Sequence, residues 1–254
     1  DTVTTLRDQG VAILLVEQKN IEPLKVYIVQ HCSYTLPPHE TCYVPIQAGR
    51  ASAPSLGITG DDTGQEISYW NPFLNELTVL YWIWKNTVCP YVGLVHYRRY
   101  LLAETAEKKL LPEKQALQLL QEYDILLGDE WVLNCTQEIQ LAADIGQDLY
   151  TEVEAAFSQL LQQRQPSYLA AYHQVMTGCG FYRCNMFITR WEIFDRYADW
   201  LFSFLPEVLP KLDLLEKTPR QKRAVGFFAE RMLTVWLLEQ DLRIKELPIW
   251  ELEG

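Results

Sequence analysis

The sequence predicts an α/β fold, a mostly parallel sheet flanked by helices with a helical insertion at one edge. Three observations carry this. Short β-branched runs recur along the chain, longer helical patterns separate them, and the stretch 130–180 has helical patterning with no good strand signal. In chain order, strands are expected at Val11–Val16, Val26–Val29, Tyr91–His96, Ile125–Leu127 and Met186–Thr189. The clearest helix opens at Asn71-Pro72, an N-cap followed by proline at the first helical position, and should run to Lys85. Phe73, Leu74, Leu77, Val79, Leu80, Tyr81, Trp82, Ile83 and Trp84 leave it little polar face, so it should be buried on most sides. Further helices are expected over 113–122, 151–162, 191–205 and 222–240. Residues 1–24 read equally as an edge strand or as the tail of a preceding domain, and 25–254 read as one domain.

Composition bounds the function. The chain has 254 residues, 48% of them hydrophobic and 22% charged, which excludes intrinsic disorder. A formal charge of −11 repels a phosphate backbone, so nucleic-acid binding is not expected, and a phosphate site must be a local basic cluster. Six cysteines (32, 42, 89, 135, 179, 184) form no C-x-x-C pair and read as reduced thiols of a cytoplasmic protein. The longest apolar run, Val11–Val16, falls far short of the roughly 18 residues of a membrane span. The chain begins with Asp rather than Met, which reads as a piece of a longer protein.

Four segments could carry chemistry. Tyr91–Tyr100 runs an apolar strand into His96, Tyr97, Arg98 and Arg99, the position where open α/β sheets bind ligands. Adjacent side chains of an extended chain diverge, so one arginine should face a ligand and the other an internal carboxylate; a strand end with structural ion pairs is the plainer reading. Gly57–Gly64 combines three glycines with Asp61 and Asp62, and a simple turn explains it as well as a hydroxyl-binding loop does. Arg220, Lys222 and Arg223 precede or open a long apolar helix carrying Glu230 and Arg231, which form either a structural ion pair or part of a cleft. Gly178–Asn185 leads into a strand and offers Arg183 and Asn185. Among the absent patterns are G-x-S-x-G, a Walker loop, G-x-G-x-x-G after a strand and any D-x-D, and the four histidines pair with no Ser or Cys at a recognisable spacing. The aromatic content is 12% with eight tryptophans, and the part of it on the helix 73–84 (Phe73, Tyr81, Trp82 and Trp84) is best explained as core.

Taken in order, Val26–His31, Tyr43–Gln47, Gly60-Asp-Asp-Thr-Gly64, Ile67-Ser68, Asn71-Pro72, Glu76-Leu-Thr78, Tyr81–Asn86 and Gly93–Tyr100 resemble the bacterial capsular and exopolysaccharide glycosyltransferase family known as domain of unknown function 4422. Asn185–Ile188 and Arg223-x-x-Gly226-Phe-x-x-Glu230-Arg231 fit the same pattern. The resemblance implies a GT-A-like fold and transfer of a sugar from a nucleotide donor, UDP by analogy, to a surface polysaccharide or O-antigen acceptor, glycan or lipid-linked. It implies that Gln30, His31 and the Gly60–Gly64 loop bound the nucleotide pocket. The His96–Arg99 segment takes the place where many such enzymes carry a metal-binding D-x-D. Arg98, Arg99 and Arg223 would then neutralise the diphosphate, and Asp61 and Asp62 would hold base, ribose or sugar hydroxyls. Glu230 is the expected general base with His96 as its rival, and Tyr97, Asn185 and Arg231 are expected to touch substrate. No cofactor is expected to be required, and a divalent cation such as Mn²⁺ stays open. A place in the cytoplasm, beside the inner membrane where lipid-linked acceptors sit, and fusion to other assembly domains follow from the family context. The rival readings are a non-catalytic carbohydrate- or nucleotide-binding module and a nucleotidyltransferase.

Overall fold

The computed structural model describes residues 22–104 and 109–252, so the expected strand Val11–Val16 lies outside the described residues. The chain's centre is β1 (Leu24–Gln30), where alternate side chains serve two different cores. Val26 and Ile28 pack on one face of the sheet, Tyr27 and Val29 on the other. β2 (Tyr43–Gln47) and β4 (Tyr91–His96) flank it in parallel, and β3 (Thr59–Gly60) extends β2. β7 (Ile125–Gly128), β10 (Phe187–Arg190) and β11 (Ile244–Leu247) complete the path β11-β7-β10-β4-β1-β2-β3. Of these strands β10 alone runs antiparallel to its neighbours, so the sheet is mostly parallel, as expected. Gly93 lets β10 approach β4: a Cβ there would lie 2.7 Å from Ile188 Cγ1.

Beyond β4 the chain turns back as β5 (Arg99–Glu104), which pairs with β6 (Lys109–Leu110) and with β12 (Ile249–Glu251). These strands and α3 (Glu113–Glu122) cover one face. The other face carries the larger core, built on α2 (Leu77–Asn86), α5 (Gln147–Arg164), α7 (Trp191–Phe202) and α9 (Ala224–Leu238). α9 is apolar almost all round and correspondingly buried from Ala224 to Ala229 and from Arg231 to Leu237. The stretch 130–180 is the expected helical region, with α4 (Gln137–Ile145), α5 and α6 (Leu169–Thr177) beside a small two-stranded antiparallel sheet of β8 (Trp131–Val132) and β9 (Gly180–Phe181).

The expected continuous helix 71–85 is broken. α1 (Asn71–Leu74) stops at Asn75, whose φ of 54° departs from helical geometry, and α2 begins only at Leu77. Asn71 Nδ2 donates to the Asn75 carbonyl at 2.7 Å and secures the break. The helix expected over 222–240 is likewise preceded by a separate turn, α8 (Pro219–Lys222), closed by a Thr218/Gln221 capping box. Both interruptions face the same edge of the sheet.

Candidate functional site

The parallel strands β1, β2 and β4 end together, and their carboxyl ends are extended by chemistry-bearing residues. β1 delivers Gln30, buried, and His31, exposed. β4 delivers His96, then the turn Tyr97-Arg98. The Tyr97 ring lies edge-on to His31, with centroids 5.3 Å apart, and the Arg98 guanidinium sits 5.2 Å from the Tyr97 centroid. The adjacent arginines part, Arg98 in the turn and Arg99 at the start of β5. Arg99 forms an ion pair with Glu251 at 2.8 Å, and Glu251 also holds Arg183 at 3.0 Å. Arg98 makes no carboxylate pair among the described residues.

The loop before β10 closes the site from the side. Cys184 and Asn185 both adopt left-handed backbone, with φ of 63° and 48°, a costly conformation for residues other than glycine. This turn lets one short segment reach three partners. The Cys184 amide donates to Glu230 Oε1 at 2.6 Å, its carbonyl accepts from His96 Nε2 at 2.8 Å, and Asn185 Nδ2 donates to Glu76 Oε1 at 2.9 Å. The Tyr197 hydroxyl fixes Asn185 in turn, at 2.8 Å from Oδ1. The helix break places Glu76 at this edge, and Asn75 within it accepts from Arg223 Nε at 2.7 Å.

The charges at this edge act on one another. Burial lowers the pKa of His31, and the nearby charges of Arg223 and Arg98 lower it further. His96 is pushed down to about 4, chiefly by burial, and is neutral at physiological pH. Glu76 moves the other way: burial raises its pKa against the opposing pull of the Asn185 hydrogen bond and of Arg223 and Arg99. Arg98 and Arg223 therefore both act on His31, and neither forms an ion pair with a carboxylate among the described residues.

Against this geometry the family can be stated. A family model described as domain of unknown function (DUF4422) matches residues 25–241. The chain belongs to this family. Among solved structures it is similar to the apo structure of WbbM, a bifunctional glycosyltransferase, with a TM-score of 0.78 and 27% identity over 91% of this chain and 45% of that one. The chain thus spans less than half the length of that structure. No curated protein matches. The DUF4422 span holds every residue of the site except Glu251, which lies on β12 beyond it.

Within the DUF4422 pattern the structure sorts the expected residues. It brings Gln30, His31, His96, Tyr97, Arg98, Arg99, Arg223 and Glu230 to one edge. Asp61 is used differently from the expectation that it holds ligand hydroxyls. It is fully buried, and its two oxygens accept from the Gly49 and Arg50 amides and from the Ser68 and Thr78 hydroxyls, at 2.5–3.1 Å. Four donors fill a carboxylate's acceptor capacity, so Asp61 shapes the loop. Asp62 pairs loosely with Arg50 at 3.5 Å, and its Oδ1 is enclosed without a hydrogen-bond partner.

Glu230 is also held: Oε1 takes the Cys184 amide and Oε2 pairs at 3.0 Å with Arg231. Arg231 is 4% exposed and further bonded to Gln137 and to the Phe227 carbonyl, so it cannot reach a substrate. Asn185 is fully buried between Glu76 and Tyr197, and it too positions rather than touches. Glu76 and Glu251 received no role from sequence, and Arg183 was offered only as a hydrogen-bonding side chain. Glu76 stood inside the family motif Glu76-Leu-Thr78, and no local signal singled it out. Among the described residues no three His, Cys, Asp or Glu side chains gather as a metal site would require.

Proposed function

We propose that this chain is a glycosyltransferase domain that binds a sugar nucleotide, UDP-linked by family analogy, and transfers the sugar to a surface-polysaccharide acceptor. The observation that carries the reading is the pair of carboxylate-free guanidiniums, Arg98 and Arg223, at the carboxyl edge of a parallel sheet in a chain of net charge −11. In a protein so acidic, two arginines that both act on His31 and pair with no carboxylate among the described residues offer an anion site. A leaving diphosphate gains charge as the glycosidic bond breaks, and fixed cations there stabilise the transition state more than the ground state. Arg99 is held by Glu251 and orients the turn. Metal independence and a cytoplasmic location belong to the same proposal; among the described residues no helix is long and apolar enough to cross a membrane.

Since Glu230 is tied to Arg231 and Cys184, Glu76 becomes the carboxylate proposed to accept the acceptor's hydroxyl proton, because burial raises its pKa toward the working range. The similarity to a glycosyltransferase structure at 27% identity supports the reading.

The test is a thermal-shift screen of UDP, GDP, CMP and dTDP sugars against wild type, Arg98→Ala and Arg223→Ala, followed by transfer assays with and without EDTA. At least one sugar nucleotide should raise the wild-type Tm, with each variant weakening it roughly tenfold or more, as expected for a charge-assisted phosphate contact. Glu76→Gln should bind donor normally and lose turnover. A donor that binds but is never transferred would favour the binding-module reading, and no response to any nucleotide would overturn both.

A further inference from the structure

The same edge of the sheet continues past the donor cleft. β7 runs parallel to β4 with β10 between them, so the end of β7 lies two strand spacings, about 10 Å, from His96. There the chain leaves Gly128 as Asp129-Glu130-Trp131, all three exposed. Trp131 is 44% exposed, an expensive placement for so large an apolar ring. It is nevertheless held from two sides, by the Phe181 ring at 5.7 Å across the β8–β9 pair and by the Arg183 guanidinium at 4.9 Å. Arg183 runs on through Glu251 to Arg99, which links the tryptophan directly to the donor cleft. Arg183 Nε is buried without a hydrogen-bond partner.

We propose that Trp131, flanked by Asp129, Glu130 and Arg183, is an acceptor subsite, a platform on which one sugar ring of the acceptor glycan stacks. The proposal rests on the transferase reading and deepens it. A sugar ring has an apolar C–H face and a rim of hydroxyls; a pinned indole matches the face, and carboxylates and a guanidinium match the rim. The carboxylate of Glu130 folds over Gly180, where an added Cβ would stand 2.3 Å from Oε1, so its position beside the ring is set by the β8–β9 pair. Because the platform is rigid before binding, little conformational freedom is lost on stacking. A protein partner would need a wider apolar patch, and the neighbouring Val132, though exposed, points to the opposite face of its strand.

The experiment follows the indole N–H resonance of Trp131, assigned by its loss in Trp131→Phe, during titration with methyl glycosides of glucose, galactose and mannose. A saturable shift with at least one glycoside, weakened roughly tenfold in Glu130→Gln, is expected. Trp131→Ala should leave the donor-induced thermal shift unchanged and raise the acceptor KM with little change in kcat. No saturable shift with any glycoside, or a change of oligomeric state in Trp131→Ala, would overturn the proposal. Donor binding without a glycoside response sinks this subsite alone, whereas glycoside binding without any nucleotide response sinks the transferase reading and the acceptor role with it, and leaves only a sugar-binding platform.

Discussion

His96 shows how far one residue's environment constrains its chemistry. Its Nε2 faces the Cys184 carbonyl, which can only accept, so Nε2 carries the hydrogen and Nδ1 the lone pair. Burial holds the imidazole at a pKa of about 4, against about 6.5 in an unfolded chain. Such a weak base is poorly suited to deprotonate a sugar hydroxyl at neutral pH, and this ranks it behind Glu76. The same shift makes a stability prediction. The unfolded chain takes up the proton first as pH falls, so the contribution is fully present above about pH 6.5 and is lost progressively down to about pH 4, by an amount on the order of 3 kcal/mol. Glu76, raised by burial, works in the opposite sense, because its native state holds the proton more tightly. Denaturant unfolding of wild type and His96→Asn at about pH 7.5 and about pH 5 isolates the histidine. The wild type should lose more stability than the variant between the two; equal losses would show that His96 titrates normally.

At the scale of elements, the decisive contact is that of α9 with the break between α1 and α2. Gly226 makes it possible: a Cβ there would meet Asn75 Nδ2 at 2.1 Å and the Phe73 carbonyl at 3.0 Å. Asn75 in turn holds Arg223. Gly226→Ala should therefore push Asn75 aside and release Arg223, costing about 1–3 kcal/mol from overpacking against about 1 kcal/mol regained in helix propensity. A lower Tm together with weaker nucleotide binding is the expected result, and an unchanged nucleotide response would show that Arg223 does not need Asn75. This contact also explains what the sequence could and could not reveal. Asn71-Pro72 announces the helix start locally, but no glycine or proline marks the break at Asn75, which tertiary neighbours impose. β2 was obscured by Pro45, which is tolerated because β3 reaches only Ile46 and Gln47 and leaves the proline on an open edge. The cations Arg98, Arg99 and Arg223 were legible because each stands in a short motif at the end or start of an element. Glu251 was not, since its partner Arg99 is distant in sequence and only the pairing of β12 with β5 brings the two together.

For the molecule as a whole, the question is what sets the order of strands contributed by distant parts of the chain. Asp124 stands just before β7, at the end of the sheet opposite the functional edge, and gathers both neighbouring strands. It accepts from the Arg243 amide at 2.8 Å and Nε at 3.0 Å ahead of β11, and from the Arg190 guanidinium at the end of β10. Its own carbonyl accepts from Thr189 Oγ1 at 2.7 Å. Hydrogen bonds from Arg243 lead in holding the Asp124 carboxyl well below the usual carboxylate range, with Arg190 adding to them. The native state therefore binds this proton later than the unfolded chain. The clasp contributes fully above about pH 4 and is lost as pH falls through the depressed native value. With the Arg243 side chain 61% exposed, solvent screens much of that pair, and the better-enclosed Arg190 contact carries more of the clasp. Asp124→Asn should then lower the Tm by roughly 4–8 °C at neutral pH for a chain of this size. The gap should narrow steadily as both proteins are scanned at pH values below about 4, because protonation removes from the wild type what the substitution already removed. A Tm difference that stays constant into acid would show that Asp124 contributes by shape alone, and that strand order in this sheet is set by the apolar faces without the ionic clasp.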